Sequence, residues 1–159
     1  MGIWLLAIFG CGGNDQKARL DQLYPDRQPV IPVSGTVLID GQPGKELFLR
    51  LVPADDKEPS PVNPQTFTDA EGRFSFMTYL EDDGVPSGKY NLLVEKLQNQ
   101  GASFWTGPDG LKNLYNHVDQ PAERLEVKEP LRNLEIKLEL VGKSAKRAPK
   151  YGVSRLGDR

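Results

Sequence analysis

The chain has 159 residues, enough for one domain of ordinary size. Its 16 glycines and 13 prolines exceed average usage and predict many turns and few long helices. A net charge of −2 with one cysteine and one histidine excludes nucleic-acid binding by the chain as a whole, an internal disulfide framework and a Cys/His zinc site.

Ile3 to Phe9 is an unbroken apolar run, and no charge precedes Asp15. A bilayer span takes ~20 apolar residues, so this run is too short to cross. It matches the apolar region of a signal peptide, ~7–15 residues. Small, polar Gly12, Gly13, Asn14 and Asp15 follow Cys11. Ile8-Phe9-Gly10-Cys11 resembles a bacterial lipobox, with an aliphatic residue three before the cysteine and a small one just before it. The resemblance implies a signal peptide over 1–10 and lipidation of Cys11. The rival reading is a buried N-terminal strand with an inert core cysteine. An amphipathic strand would alternate, and this run does not. Each acyl chain contributes ~0.8 kcal/mol per buried methylene, so two or more anchor stably. The membrane, reached through Cys11, is then the expected partner.

Residues 11–32 are polar and read as a tether. Gln16 to Tyr24 allow one or two helical turns before Pro25, Pro29 and Pro32 intervene. From Val33 the pattern changes to period two. Val33–Ile39 is β-branched and ends at the turn dipeptide Asp40-Gly41. Leu47–Val52 is a second strand, stopped by Pro53. Asp55 to Pro64, with Pro59 and Pro61, is an exposed loop. Thr66–Thr68 and Arg73–Met77 form an antiparallel hairpin around Asp69-Ala70-Glu71-Gly72. Lys89–Glu95 follows the turn Pro86-Ser87-Gly88. Leu111 to His117 is read as one or two helical turns. Arg124–Val127 and Leu134–Leu140 are the last strands. In the final one Leu134, Ile136, Leu138 and Leu140 share a face opposite Glu135, Lys137 and Glu139. Short strands with regular turn signals argue for an all-β, seven-stranded antiparallel β-sandwich over 33–141. Residues 142–159 form a basic flexible tail.

Gly35-x-Val37, Asp40-Gly41-x-Pro43, Thr68-Asp69-x-x-Gly72-x-Phe74-x-Phe76 and Pro86-x-Gly88-x-Tyr90-x-Leu92-x-Val94 resemble the carboxypeptidase regulatory-like family. The resemblance implies a transthyretin-like, Ig-like Greek-key sandwich. Leu114-Tyr115-Asn116, Asp119, Leu125-x-Val127 and Leu134-x-Ile136-x-Leu138 resemble the closing segment of small secreted lipoproteins of the Planctomycetes type. Together these imply a bacterial cell-envelope location, on the periplasmic or outer-membrane face. They imply no activity and no cofactor, since such domains are non-catalytic accessory modules in larger proteins.

His117 is the only histidine, and no nucleophile or metalloprotease motif accompanies it. No catalytic residue is assigned, nor any metal ligand. Asp55, Asp56 and Glu58, with Glu81, Asp82 and Asp83, form two acidic loops. They read as solvated loops, with a weak calcium site the rarer alternative. Phe104 and Trp105 are the candidate ligand-contact residues, for a glycan or a protein partner. Their alternative role is to cover a sheet edge. Tyr79 and Tyr90 read as core or sheet-surface residues. From Lys143 onward six basic residues face one acid, Asp158. The tail therefore carries +5 and the rest of the chain −7. The expected function is that of a non-enzymatic, lipid-anchored envelope protein with a structural or binding role. A carbohydrate-binding or adhesion module is the second reading.

Overall fold

The computed structural model describes residues 13–55, 62–97 and 108–140. Helix α1 (Gly13–Leu23) opens this part of the chain. Its Gln, Lys, Ala, Arg and Leu residues are good helix formers. Pro25 ends it, because a residue before proline leaves the helical region. The helix is longer than the one or two turns that the spacing of the prolines suggests.

Strand β1 (Val30–Ile31) follows, then β2 (Val33–Ile39), β3 (Gln42–Pro43) and β4 (Phe48–Pro53). Next come β5 (Gln65–Phe67), β6 (Arg73–Ser75), β7 (Val85–Pro86) and β8 (Gly88–Glu95). The last are β9 (Asn116–His117), β10 (Gln120–Pro121), β11 (Glu123–Val127) and β12 (Leu131–Leu138). The described fold is therefore mostly strand, and each of the seven expected strands has a counterpart. One sheet runs β11-β8-β4-β5, antiparallel throughout. In the other, β2 pairs with β12 along one edge and with β3 and β6 along the other. Two short ribbons, β1-β7 and β9-β10, complete it.

Three expectations change. Strand β12 runs parallel to β2, from Leu131↔Val33 to Leu138↔Ile39, so the pairing is not purely antiparallel. A parallel pair needs a long crossover, and here almost the whole domain lies between the two strands. The hairpin around residues 69–72 splits: β5 joins β4 and β6 joins β2, leaving Gln65↔Met77 as a bridge between them. Finally, Leu111 to His117 forms tight turns and then β9, with no helix. Lys112 and Asn113 both take φ 56°, which breaks a right-handed helix. The Asp109 carboxylate accepts the Lys96, Leu111 and Asn113 amides at 2.7–2.9 Å and fixes this path.

The turns follow their residues. Asp40 and Gly41 both have positive φ, 48° and 80°, as a two-residue hairpin between β2 and β3 requires. In the split hairpin, Asp69 accepts the Glu71 and Arg73 amides at 2.9 and 2.8 Å and the Arg73 guanidinium at 2.8 Å. The Arg73 side chain is the main reason the Asp69 carboxyl titrates below its usual value. Thr68 is buried and pins the loop before β4: its hydroxyl donates to Gly44 O at 2.7 Å and accepts from Leu47 N at 2.8 Å.

Both large sheets contribute to one apolar core. Val33 and Val37 of β2, Phe74 of β6, and Ile136 and Leu138 of β12 come from one sheet. Leu49 and Leu51 of β4, Leu92 and Val94 of β8 and Val127 of β11 come from the other. Each such side chain contributes ~1.5–3 kcal/mol of burial. The expected alternation of the last strand holds: Ile136 and Leu138 are buried, Leu134 and Leu140 pack partly against the core, and Glu135, Lys137 and Glu139 are exposed. Tyr115 is buried among these residues. Its hydroxyl donates to Glu139 O at 2.9 Å and accepts from Glu139 N at 2.8 Å, which clamps the chain just after β12.

Gly35 explains why β12 can lie where it does. A Cβ there would collide with the carbonyl oxygen and Cβ of Leu134, at the register shift between Leu131 and Leu134. Gly35→Ala should lower stability by ~1–3 kcal/mol, as overpacking against backbone does. A urea midpoint reads this, and an unchanged midpoint would contradict the close approach. Tyr115→Phe should cost ~1–2 kcal/mol through its two lost hydrogen bonds, with little change in the slope of unfolding.

Candidate ligand groove

The polar stretch after α1 folds back on the β domain. Tyr24 directly follows α1, its amide donating to Leu20 O at 2.8 Å. Its ring meets Tyr79 with centroids 5.1 Å apart and planes tilted by 54°. The Tyr79 hydroxyl accepts the Gln28 amide at 3.1 Å. Two residues on, β1 pairs with β7. Arg27 reaches back to Asp21 at 2.7 Å, bracing the segment against α1. Its other terminal nitrogen is buried and has no hydrogen-bond partner.

On the domain side the wall is held by local hydrogen bonds. The Asp83 carboxylate accepts the amides of Thr78, Tyr79 and Leu80 at 2.7, 3.0 and 3.0 Å. Thr78 Oγ1 donates to Gly84 O at 2.6 Å. Gly84, at φ 108°, lies so close to the Ile31 carbonyl that a Cβ there would clash. Tyr79 is thus presented by a loop tied to both the domain and β1. Tyr90 of β8 stands beside it. Its hydroxyl donates to Pro86 O at 3.0 Å, and its ring lies over Gly88.

Between these walls is an open groove of about 650 Å³. Tyr24, Tyr79 and Tyr90 line it, together with Pro25, Pro53, Pro64 and Pro86. Such a volume falls within the usual range for ligand sites. Asp26 and Arg27 are its charged lining residues among those described. The tyrosines and prolines present flat apolar faces, and the phenols add directional hydrogen bonds.

Cys11 and the lipobox residues Ile8, Phe9 and Gly10 lie outside the described residues, as do Phe104 and Trp105. So do Asp56, Glu58 and the basic tail. His117 is exposed next to the Val118-Asp119 turn of the β9-β10 hairpin, where its backbone faces Gln120. Its side chain makes no hydrogen bond or ion pair to a described residue. The acidic loop at 81–83 uses the Asp83 carboxylate to hold backbone amides, and the described residues contain no group of three or more His, Cys, Asp or Glu arranged to hold a metal. No described helix is long and apolar enough to cross a membrane.

Sequence patterning did not point to the groove. Tyr90 is buried, as a core residue should be, and yet one side of it lines the groove; Tyr79 is half-buried. The available signal was Tyr24-Pro25, an aromatic residue in an otherwise polar stretch. No family model matches the chain, and no curated protein or solved structure matches it either.

Burial is the first cause, and the nearby Tyr79 phenol the second, that push the Tyr90 hydroxyl above the ordinary tyrosine value. A raised value stabilises the fold fully below the ordinary tyrosine pKa, and the contribution is lost as pH rises through the raised one. Alkaline titration at the phenolate absorbance should therefore show a late step that Tyr90→Phe removes. A titration curve unchanged by Tyr90→Phe would contradict this environment.

Proposed function

We propose that this chain is a lipid-anchored bacterial envelope protein whose β domain serves in binding rather than in catalysis. The observation that carries the reading is the order of segments at the N-terminus. An apolar run over 3–9 stops at Gly10-Cys11, and a polar helix begins only two residues after that cysteine. A lipidated Cys11 would be the membrane attachment point, with Ile8, Phe9 and Gly10 as its lipobox. Such an anchor holds the domain at the surface without a membrane-spanning segment.

The domain is read here as a carboxypeptidase regulatory-like, Greek-key sandwich. Two observations support that reading: both large sheets feed one core, and the Asp40-Gly41 and Gly72 turns adopt the positive φ their motifs call for. The tyrosine-lined groove supports a binding role. The periplasmic or outer-membrane face is the proposed location.

Detergent phase partitioning and intact mass test the anchor. Wild-type protein expressed in a lipoprotein-processing bacterium should enter the detergent phase and carry the added mass of acyl chains. Cys11→Ala should move to the aqueous phase. Continued membrane partitioning of Cys11→Ala, or an unmodified wild-type mass, would sink the proposal.

A further inference from the structure

We infer that the tyrosine groove binds an extended, proline-rich peptide segment bearing a basic residue at one end. The inference deepens the binding role proposed above but does not depend on the lipid anchor.

Tyr79 Oη accepts the Gln28 amide and keeps its own proton free to donate. Tyr24 Oη is engaged by no described residue, so it too can donate. The wall thus offers phenol donors beside flat rings. A proline-rich segment is the complementary object: each proline lacks an N–H and presents only a carbonyl acceptor. In the polyproline II form those carbonyls have no internal partners, and the backbone is already stiff, so little freedom is lost on docking. Proline rings also pack well on tyrosine faces, the mode by which aromatic-lined grooves take such segments.

Charge selects the flank. Asp21 at 2.7 Å offsets Arg27. Asp26 remains as an exposed lining carboxylate that forms no ion pair with a described residue. With Arg27 paired to Asp21, Asp26 is the lining charge left without an ion-pair partner among the described residues, and it complements a lysine or arginine next to the prolines. A glycan fits less well. Each sugar hydroxyl is both donor and acceptor, so saccharide sites need acceptors placed among the donors. Among the described residues lining this groove, the side-chain acceptors other than phenols are Asp26, Gln28 and Asn63, set against three tyrosines and four prolines.

The test uses the full-length chain in mild detergent and a fluorescein-labelled oligoproline with a terminal arginine, followed by fluorescence polarisation. Saturable binding is expected, with none for a glycine–serine peptide of equal length carrying the same arginine. Tyr24→Ala and Tyr79→Ala should each weaken binding by about tenfold or more, as aromatic anchors do. Tyr24→Phe, which keeps the ring, should weaken it less. Asp26→Asn should weaken it several-fold and flatten its salt dependence. Thermal midpoints report whether each variant folds, and Tyr24→Phe guards against a merely unfolded Tyr24→Ala. Absence of saturable oligoproline binding would overturn the inference. So would binding unaffected by Tyr24→Ala, or capture of chito-oligosaccharides in place of the peptide. Cys11→Ala should bind the peptide with unchanged affinity, so failure of the anchor and failure of the groove are separate results.

Discussion

The two-edged pairing of β2 is the constraint on which the rest of the structure depends. One edge carries β12 over most of its length, and the other is shared by β3 and β6. The close approach at Gly35 lets the last strand lie alongside the first long one. Val33 and Val37 on β2 then lie beside Ile136 and Leu138 on the same core-facing side of the sheet. The Asp40 turn closes the far end, where Asp40 N donates to Leu138 O at 2.9 Å and its carboxylate accepts Leu140 N at 3.1 Å. A parallel pair forms a long-range contact, so its gain follows the ordering of nearly everything between.

The near end of β2 has a different consequence. The chain leads into it through β1, which pairs with β7 beside the Asp83 loop. Docking of β1 brings Tyr24 to Tyr79 and makes one wall of the groove from residues that composition assigns to a tether. Local carboxylate–amide bonding recurs here as a device: Asp69, Asp83 and Asp109 each gather two or three backbone amides. These bonds fix the path of their loops, and one of them presents Tyr79 to the groove.

Strands and turns were legible in the sequence because each has a local cause. Alternation over Leu134–Leu140 and the φ demands of Asp40-Gly41 and Gly72 depend on neighbours only. Strand direction and partner choice do not. The 65–77 hairpin has the right turn, yet tertiary pairing draws its arms to different sheets. Leu111, Leu114 and Tyr115 mimic a helical stripe, but they are buried by a turn that Asp109 stabilises. The groove was hidden for a related reason. Its wall needs Tyr24, Tyr79 and Tyr90 from three distant stretches, and the polarity around Tyr24 resembles a linker. The lipobox, by contrast, is legible only as sequence, and it lies outside the described residues.

The central claim is that the stretch after α1 belongs to the folded domain and does not act as a free linker. Native-state hydrogen exchange on the full-length chain measures this directly. The amides between Gln28 and Ile31 should exchange through the same slow opening that exposes β8. Exchange of those amides at the rate of a free chain, with β8 still protected, would contradict the claim and remove one wall of the groove.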